Sequence, residues 1–160
     1  MDDPRIRLAV HFLALLFTGL IAGAVLAVWQ GYDPRGLNAA AFVAMHQGAV
    51  RGHSVLMPAL ALGSLVFIAV SAWYVRNDRV TLGLFGAALL CLVAAGVITA
   101  VYNQPVNAEV MGWTAARVPR NWAALRETWW YWHVVRTVLV LAGFALVTAG
   151  VLWSRESERA

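Results

Sequence analysis

The chain has 160 residues, enough for one domain, and its composition excludes an ordinary water-soluble protein. Hydrophobic residues make up 61% and charged residues 12%, against about 45–50% and about 25% in an average soluble domain. All 12 basic residues are arginines, and they lie in loops and at segment ends rather than in a basic stripe. We therefore expect lipid to surround most of the chain and no nucleic acid to bind it.

Four apolar segments in chain order predict four membrane-spanning helices within a single domain covering residues 1–160. They lie at about residues 8–29, 54–75, 80–101 and 134–153, each close to the roughly 20 residues that the hydrocarbon core of a bilayer requires. The predicted fold class is therefore all-α, a transmembrane four-helix bundle.

Local signals mark the ends and contacts of the first two spans. Asp3 followed by Pro4 is typical of an N-cap and a first helical position. Gly19 and Gly23 form a G-x-x-x-G spacing, which either lets another helix approach closely or arises by chance in a helix rich in glycine and alanine. Pro58 predicts a kink near the start of the second span.

The connections differ in length, and this places the polar residues at one end of the bundle. The second connection, residues 76–79, is short and makes spans two and three an antiparallel hairpin. The first (about 30–53) and the third (about 102–133) are long and partly helical, and with four spans they lie on the same side. Asn38 and Asn121 are candidate N-caps of their helices, and the last helix is predicted to extend beyond the membrane.

We expect an integral protein of the bacterial inner membrane. Arginine placement favours cytoplasmic N- and C-termini, because the arginines on that side lie in shorter segments. The expected partners are the lipid bilayer and a hydrophobic small molecule. A homo-oligomer is left open.

One face of the last helix carries most of the candidate site. Counting 100° per residue places Arg126, Trp129, Trp130, His133 and Arg136 on that face. We interpret it as the inward face, with polar groups at its mouth. The alternative is that its aromatic rings form an interfacial belt that anchors the helix.

Arg136 lies about one turn inside the apolar run, where an arginine is costly unless it is paired or reaches the interface. One interpretation is a contact with an anion or a substrate oxygen. The other is a structural pair with Glu109 or with loop carbonyls.

The histidines do not form a recognisable metal signature. His46 and His53 share one helix face, but their separation of seven residues corresponds to about 10.5 Å of helix rise, too far for one ion. We therefore predict no metal site; if a metal binds, the candidate ligands are His46, His53, His133 and Glu109. No flavin or nicotinamide fingerprint is present, so no cofactor is evident, and a metal or haem is the alternative.

Several of these residues together resemble a known family. They are Asn103-Gln104-Pro105-Val106-Asn107, Trp113, Trp122-Ala123-Ala124-Leu125-Arg126, Trp129, His133, Arg136 and Thr137. They are similar to an N-x-P-x-N turn, a tryptophan-containing connection and a W…H-x-x-R-T entry into the last span in the small four-span membrane family that includes anthrone oxygenases. The stretch Met45 to Pro58 also resembles the second span of that family.

Anthrone oxygenases convert an aromatic polyketide anthrone to a quinone with molecular oxygen. The resemblance implies an oxidoreductase, a monooxygenase, that acts on a hydrophobic aromatic substrate. With this chemistry, His133 is the base that removes an acidic ring proton. Arg136, Asn103 and Asn107 then stabilise the resulting anion through charge-assisted hydrogen bonds.

The remaining candidates are substrate-binding residues, among which the indoles would stack on a flat substrate. They are Trp129, Trp130, Arg126, His46 and His53. The alternative function is a non-catalytic membrane subunit, or a membrane protein that binds a small ligand or a metal. We predict that His133, Arg136 and Asn103 converge with His46 or His53 at the end that bears the long connections.

Overall fold

The computed structural model describes residues 3–157, which contain no β-strand; the N- and C-terminal residues, for which a cytoplasmic location is predicted, lie outside them. The helices are α1 (Pro4–Gly31), α2 (Ala39–His53), α3 (Leu56–Tyr74), α4 (Arg79–Ile98), α5 (Gln104–Met111) and α6 (Trp122–Ser157). A 3₁₀ turn, Pro34–Gly36, precedes α2, and a π-helical turn, Thr99–Asn103, joins α4 to α5. The predicted all-α class is confirmed.

Four stretches are long and apolar enough to cross a membrane, as predicted. They are Pro4–Gly36, Leu56–Tyr74, Arg79–Met111 and Trp122–Ser154. Each overlaps one predicted span, and the last begins well before residue 134 because α6 starts at Trp122, directly after Asn121. Helix α6 has 36 residues, about 54 Å at 1.5 Å per residue, so it is longer than the hydrocarbon core of a bilayer is thick.

Side-chain caps define where helices begin. The carboxylate of Asp3 accepts a hydrogen bond from Arg5 N at 2.8 Å, and the Asn38 amide oxygen accepts one from Ala41 N at 3.0 Å. Each satisfies a backbone N–H that has no partner within its helix. Helix α2 ends at His53, so it does not continue directly into α3.

The two prolines near the polar end interrupt the helices less than the sequence predicts. Pro58 is the third residue of α3, where a backbone N–H has no intrahelical partner anyway, and α3 continues without a break to Tyr74. The turn predicted at residues 103–107 is wrong, because the chain remains helical there. The wide π turn ends with Gln104 N donating to Thr99 O and accommodates Pro105 in the first turn of α5.

The long helices pack in pairs: α1 against α3 and α6, and α4 against α3 and α6. Their shared core includes Ala14, Ile68, Phe85 and Val147, all fully buried. Of the G-x-x-x-G pair, Gly19 faces Phe144 of α6, and a Cβ placed there would lie 3.3 Å from that ring. A Cβ on Gly23 would meet nothing within 4 Å, so only half of the motif serves close packing.

A second buried cluster lies at the end with the long connections and joins α2, α5 and the first turns of α6. It consists of Phe42, Val106, Val110, Trp129 and Trp130, with Trp113 and Trp122 packed against it. The amide of Gln47 donates to the carbonyls of Val110 and Trp113, at 2.9 and 3.0 Å, and so ties α2 to the connection before α6. This cluster positions the polar groups described next.

The contact between α1 and α3 requires a glycine at residue 63. A Cβ on Gly63 would lie 2.2 Å from Phe17 Cδ1, so Gly63→Ala forces the aromatic ring to move. We expect a loss of about 1–3 kcal/mol in stability, measured as a lower melting temperature of the detergent-solubilised protein. Gly83→Ala is the matched control because its Cβ meets nothing within 4 Å. Equal melting temperatures for the two variants would contradict this packing.

Candidate functional site

Polar side chains from α2, the π turn, α5 and α6, together with Tyr32 directly after α1, meet around Trp129. We call the following residues the Trp129 cluster: Tyr32, His46, Thr99, Asn103, Asn107, Trp129, His133 and Arg136. The indole is almost fully buried, its ring stacks on His133 with centroids 5.0 Å apart, and its edge-on contact with His46 measures 4.7 Å.

Hydrogen bonds connect Trp129 to both asparagines of the N-x-P-x-N motif. Its indole Nε1 donates to Asn107 Oδ1 at 2.8 Å, and its backbone carbonyl accepts from Asn103 Nδ2 at 3.0 Å. The two asparagines are four residues apart in a helical segment, so both face α6. The continuous helix, rather than a turn, therefore places both amides at the site.

His46 is 1% exposed and makes two side-chain hydrogen bonds. Its Nε2 lies 3.1 Å from Asn107 Oδ1, and its Nδ1 lies 3.5 Å from the Tyr32 hydroxyl. Because Asn107 Oδ1 also accepts from the indole N–H, which only donates, His46 Nε2 is the donor. Nδ1 is then the unprotonated nitrogen. Burial lowers the pKa of His46 from its ordinary 6.5 to about 4, which keeps the imidazole neutral.

His133 is also buried, and both of its ring nitrogens are engaged. Its Nε2 donates to the carbonyl of Val25 in α1 at 3.2 Å, since a carbonyl can only accept. Its Nδ1 then accepts from Arg136, at 3.3 Å from Nε and 2.9 Å from Nη2. This arrangement corresponds to a neutral imidazole that orients a guanidinium.

Arg136 has no carboxylate partner among residues 3–154, the part of the chain whose side chains are described. Besides His133, it contacts the hydroxyl of Thr99, to which Nη1 donates at 3.0 Å. Glu109 is exposed and is not a partner, so the structural pair with Arg136 that the sequence left open is not formed. The cation is thus held within an apolar helix by neutral groups alone.

Asn103 carries a second unmatched group. The residue is fully buried, and while its Nδ2 donates to Trp129 O, its Oδ1 has no hydrogen-bond partner in the described structure. An unpaired buried acceptor costs about 1–3 kcal/mol. A ligand or water that donates a hydrogen bond to Oδ1 would remove this cost.

Some predicted site residues meet and others do not. His46, Asn103, Asn107, Trp129, His133 and Arg136 belong to one cluster, and Trp130 borders it with its ring 5.8 Å from His133. His53 instead contacts its own helix, with Nδ1 2.7 Å from Ala49 O. Arg126 ties the first connection to α6 by donating to Leu37 O at 3.1 Å, and it pairs with Glu127 at 2.8 Å.

Two members of the cluster were not predicted from the sequence. Tyr32 lies at the end of α1, and nothing local indicates that it reaches His46 across the fold. Thr99 was detectable, because it precedes Asn103 by four residues and a helix through both would place them on one face.

The described residues contain no group of three or more His, Cys, Asp or Glu side chains arranged to hold a metal ion. The four candidate ligands, His46, His53, His133 and Glu109, therefore do not form such a group.

The apolar helices define an all-helical membrane protein, and the Trp129 cluster is its candidate functional site. A model of the anthrone oxygenase family matches residues 45–146, more than half of the chain. The chain therefore belongs to the anthrone oxygenase family, and the resemblance seen in the sequence is confirmed. The matched residues include His46, Asn103 and His133, but the match begins after Tyr32. No curated protein and no solved structure matches the chain.

The neutral state of His46 predicts how stability depends on pH. Because its pKa is lower in the folded protein than in the unfolded chain, the unfolded chain binds more protons between pH 6.5 and 4. Stability should be complete above pH 6.5 and fall as the pH drops toward 4, by at most about 3 kcal/mol from this residue. Melting temperatures of the detergent-solubilised protein measured from pH 4 to 7.5 test this.

The variant His46→Gln should show a shallower acid-induced loss than the unmodified protein. The same slope in both proteins would contradict the assigned state of His46.

Proposed function

We propose that this membrane protein oxidises a hydrophobic aromatic substrate of the anthrone type with molecular oxygen. In this proposal the four spans form a bundle, and the end with the long connections receives the substrate. The observation that carries the proposal is the Arg136 guanidinium, held by His133 and Thr99 without a described carboxylate partner. A cation at such a depth is costly, and the anion of an oxidisable aromatic ring would compensate it.

The chemistry needs an anion-stabilising group and no external reductant. An anthrone has an acidic CH₂ group opposite its carbonyl, and removal of one proton gives an anion whose charge lies largely on that oxygen. The electron-rich carbon bonds to O₂, and protonation gives a hydroperoxide. Loss of the second C–H proton and cleavage of the O–O bond then yield a second carbonyl and water. The net change is CH₂ + O₂ → C=O + H₂O, with all four electrons supplied by the substrate.

The Trp129 cluster supplies complementary groups for this anion. Arg136 donates charge-assisted hydrogen bonds to the anionic oxygen, and the unpartnered Asn103 Oδ1 accepts from a hydroxyl of the substrate. His133 orients the guanidinium through Nδ1. Trp129 and Trp130 contribute apolar walls suited to a flat ring system. Because the substrate partitions into lipid, entry from the membrane suits these helices.

The contacts of Asn107 and His133 change the catalytic roles that we predicted for them from the sequence. Asn107 acts through its partners His46 and Trp129, because its Oδ1 accepts from both. For His133 to act as a base, Arg136 would have to release Nδ1 first. We therefore propose His133 primarily as a group that positions Arg136.

A protein that binds an aromatic ligand without oxidising it is the second candidate. The observation in its favour is that both nitrogens of His133 and the indole N–H of Trp129 are already engaged within the protein. In that case the Trp129 cluster holds the connections together, and oxygen uptake is not accelerated.

Removing the charge of Arg136 tests the proposed function. We expect Arg136→Gln to lower kcat/KM for 1,8-dihydroxyanthrone by about 10²–10³-fold, because an anion-stabilising donor is lost. Arg136→Lys should retain more activity, since it keeps the charge but not the forked donor geometry. The assay follows oxygen uptake and quinone absorbance in detergent, after subtraction of spontaneous oxidation.

Arg120→Gln is the matched control, because Arg120 is exposed in the connection before α6 and lies outside the Trp129 cluster. If the unmodified protein and every variant match the spontaneous rate, the oxygenase proposal fails. Quenching of tryptophan fluorescence by the anthrone in those proteins would then support the ligand-binding alternative.

A further inference from the structure

We propose that His46, and not His133, is the base that takes the substrate proton, and that Asn107 is the positioning residue that leaves the accepting nitrogen of His46 available. This assignment rests on the proposed oxidation and names the proton acceptor within it. It is argued from the hydrogen bonds of the two buried imidazoles, in both of which Nδ1 is the unprotonated nitrogen but which differ in the group that faces it.

His133 is poorly arranged to accept a proton. Its Nε2 carries a hydrogen that it donates to Val25 O, and its Nδ1 lone pair is directed at Arg136, 2.9 Å from Nη2. Protonation at Nδ1 would break the contact with Arg136 and place two cations side by side in a buried site. Like charges at such a distance oppose each other strongly where the dielectric constant is low.

His46 has the same tautomer, but a different group faces its Nδ1. Its Nε2–H donates to Asn107 Oδ1. This amide atom must be the oxygen, because it also accepts a hydrogen bond from the Trp129 indole N–H. The lone pair of Nδ1 therefore faces the Tyr32 hydroxyl. At 3.5 Å this contact is long for a hydrogen bond, and Tyr32 is only half-buried at the end of α1. A substrate can replace the hydroxyl there at little cost.

Both imidazoles contact the indole of Trp129. The ring centroids of His46 and His133 lie 4.7 and 5.0 Å from that of Trp129, so they are at most about 10 Å apart. The proposed base and the residue that holds Arg136 therefore belong to the same local cluster.

The surroundings of His46 keep it neutral before the substrate arrives. The side chains in contact with it, Tyr32, Phe42, Asn107 and Trp129, carry no charge. The lowered pKa is consistent with this environment. Once the proton moves, the imidazolium faces a substrate anion, and an opposite charge nearby stabilises the protonated form.

With His46 as the single base, the protons and electrons of the reaction balance. Nδ1 takes the first C–H proton, O₂ bonds to the carbon of the anion, and the imidazolium returns the proton to the terminal peroxide oxygen. Nδ1 then takes the second C–H proton while the O–O bond breaks and hydroxide leaves. The imidazolium protonates the hydroxide to water, and His46 is neutral again.

The first experiment compares the two histidines with the same substitution. We expect His46→Gln to lower kcat for 1,8-dihydroxyanthrone by about 10²–10⁴-fold while quenching of tryptophan fluorescence by the substrate is retained. His133→Gln should lose less, since it only loosens Arg136. Arg51→Gln, an exposed substitution on the same helix as His46, is the control for a general effect on α2.

The second experiment tests positioning by Asn107 and does not depend on the folding of His46→Gln. In Asn107→Asp a carboxylate accepts from His46 Nε2 and raises the pKa of the imidazole. The acidic limb of the pH profile of kcat/KM should therefore move to higher pH by about 1–3 units. A purely structural Asn107 would lower activity equally at every pH.

The outcomes distinguish failure of the base assignment from failure of the proposed oxidation. No oxygen uptake by the unmodified protein overturns both. An active protein in which His46→Gln keeps full kcat and His133→Gln loses it overturns the base assignment alone, as does an unmoved acidic limb in Asn107→Asp. A loss of kcat that is much larger in His46→Gln than in His133→Gln, together with a shifted limb, supports it.

Discussion

The hydrogen bonds to Asn107 Oδ1 hold the polar end of this protein together. This one oxygen accepts from the indole of Trp129 and from the imidazole of His46, which belong to different helices. Because the indole N–H can only donate, the contact determines the orientation of the amide, the tautomer of His46 and therefore which of its nitrogens is unprotonated. Buried polar networks are costly when incomplete, so helices α2, α5 and α6 are constrained to one relative position.

The π turn before α5 makes this contact available. It inserts one extra residue into the turn just ahead of Pro105, and the chain then stays helical through the motif. Asn103 and Asn107 consequently face α6 from successive turns, and Thr99 faces Arg136 from the turn below. The π turn thus places three polar side chains against α6 in an otherwise apolar bundle.

Two polar groups next to this framework lack a matched partner. Arg136 is held by a neutral imidazole and a hydroxyl, and Asn103 presents a buried acceptor without a described partner. Both groups lie within residues 45–146, which match the anthrone oxygenase family. The same contacts make the two buried histidines unequal, one directed at a cation and the other at a replaceable hydroxyl.

The sequence by itself determined the features that depend on neighbouring residues and on hydrophobicity: four apolar helices, the caps at Asp3 and Asn38, and the shared face of Trp129, His133 and Arg136. Only the tertiary structure decided which nitrogens are engaged, that Tyr32 reaches His46, and that His53 and Arg126 lie outside the cluster. The physical reason is separation along the chain. His46 meets Asn107 across 61 positions and His133 meets Val25 across 108, and such pairs depend on helix packing that no local pattern specifies.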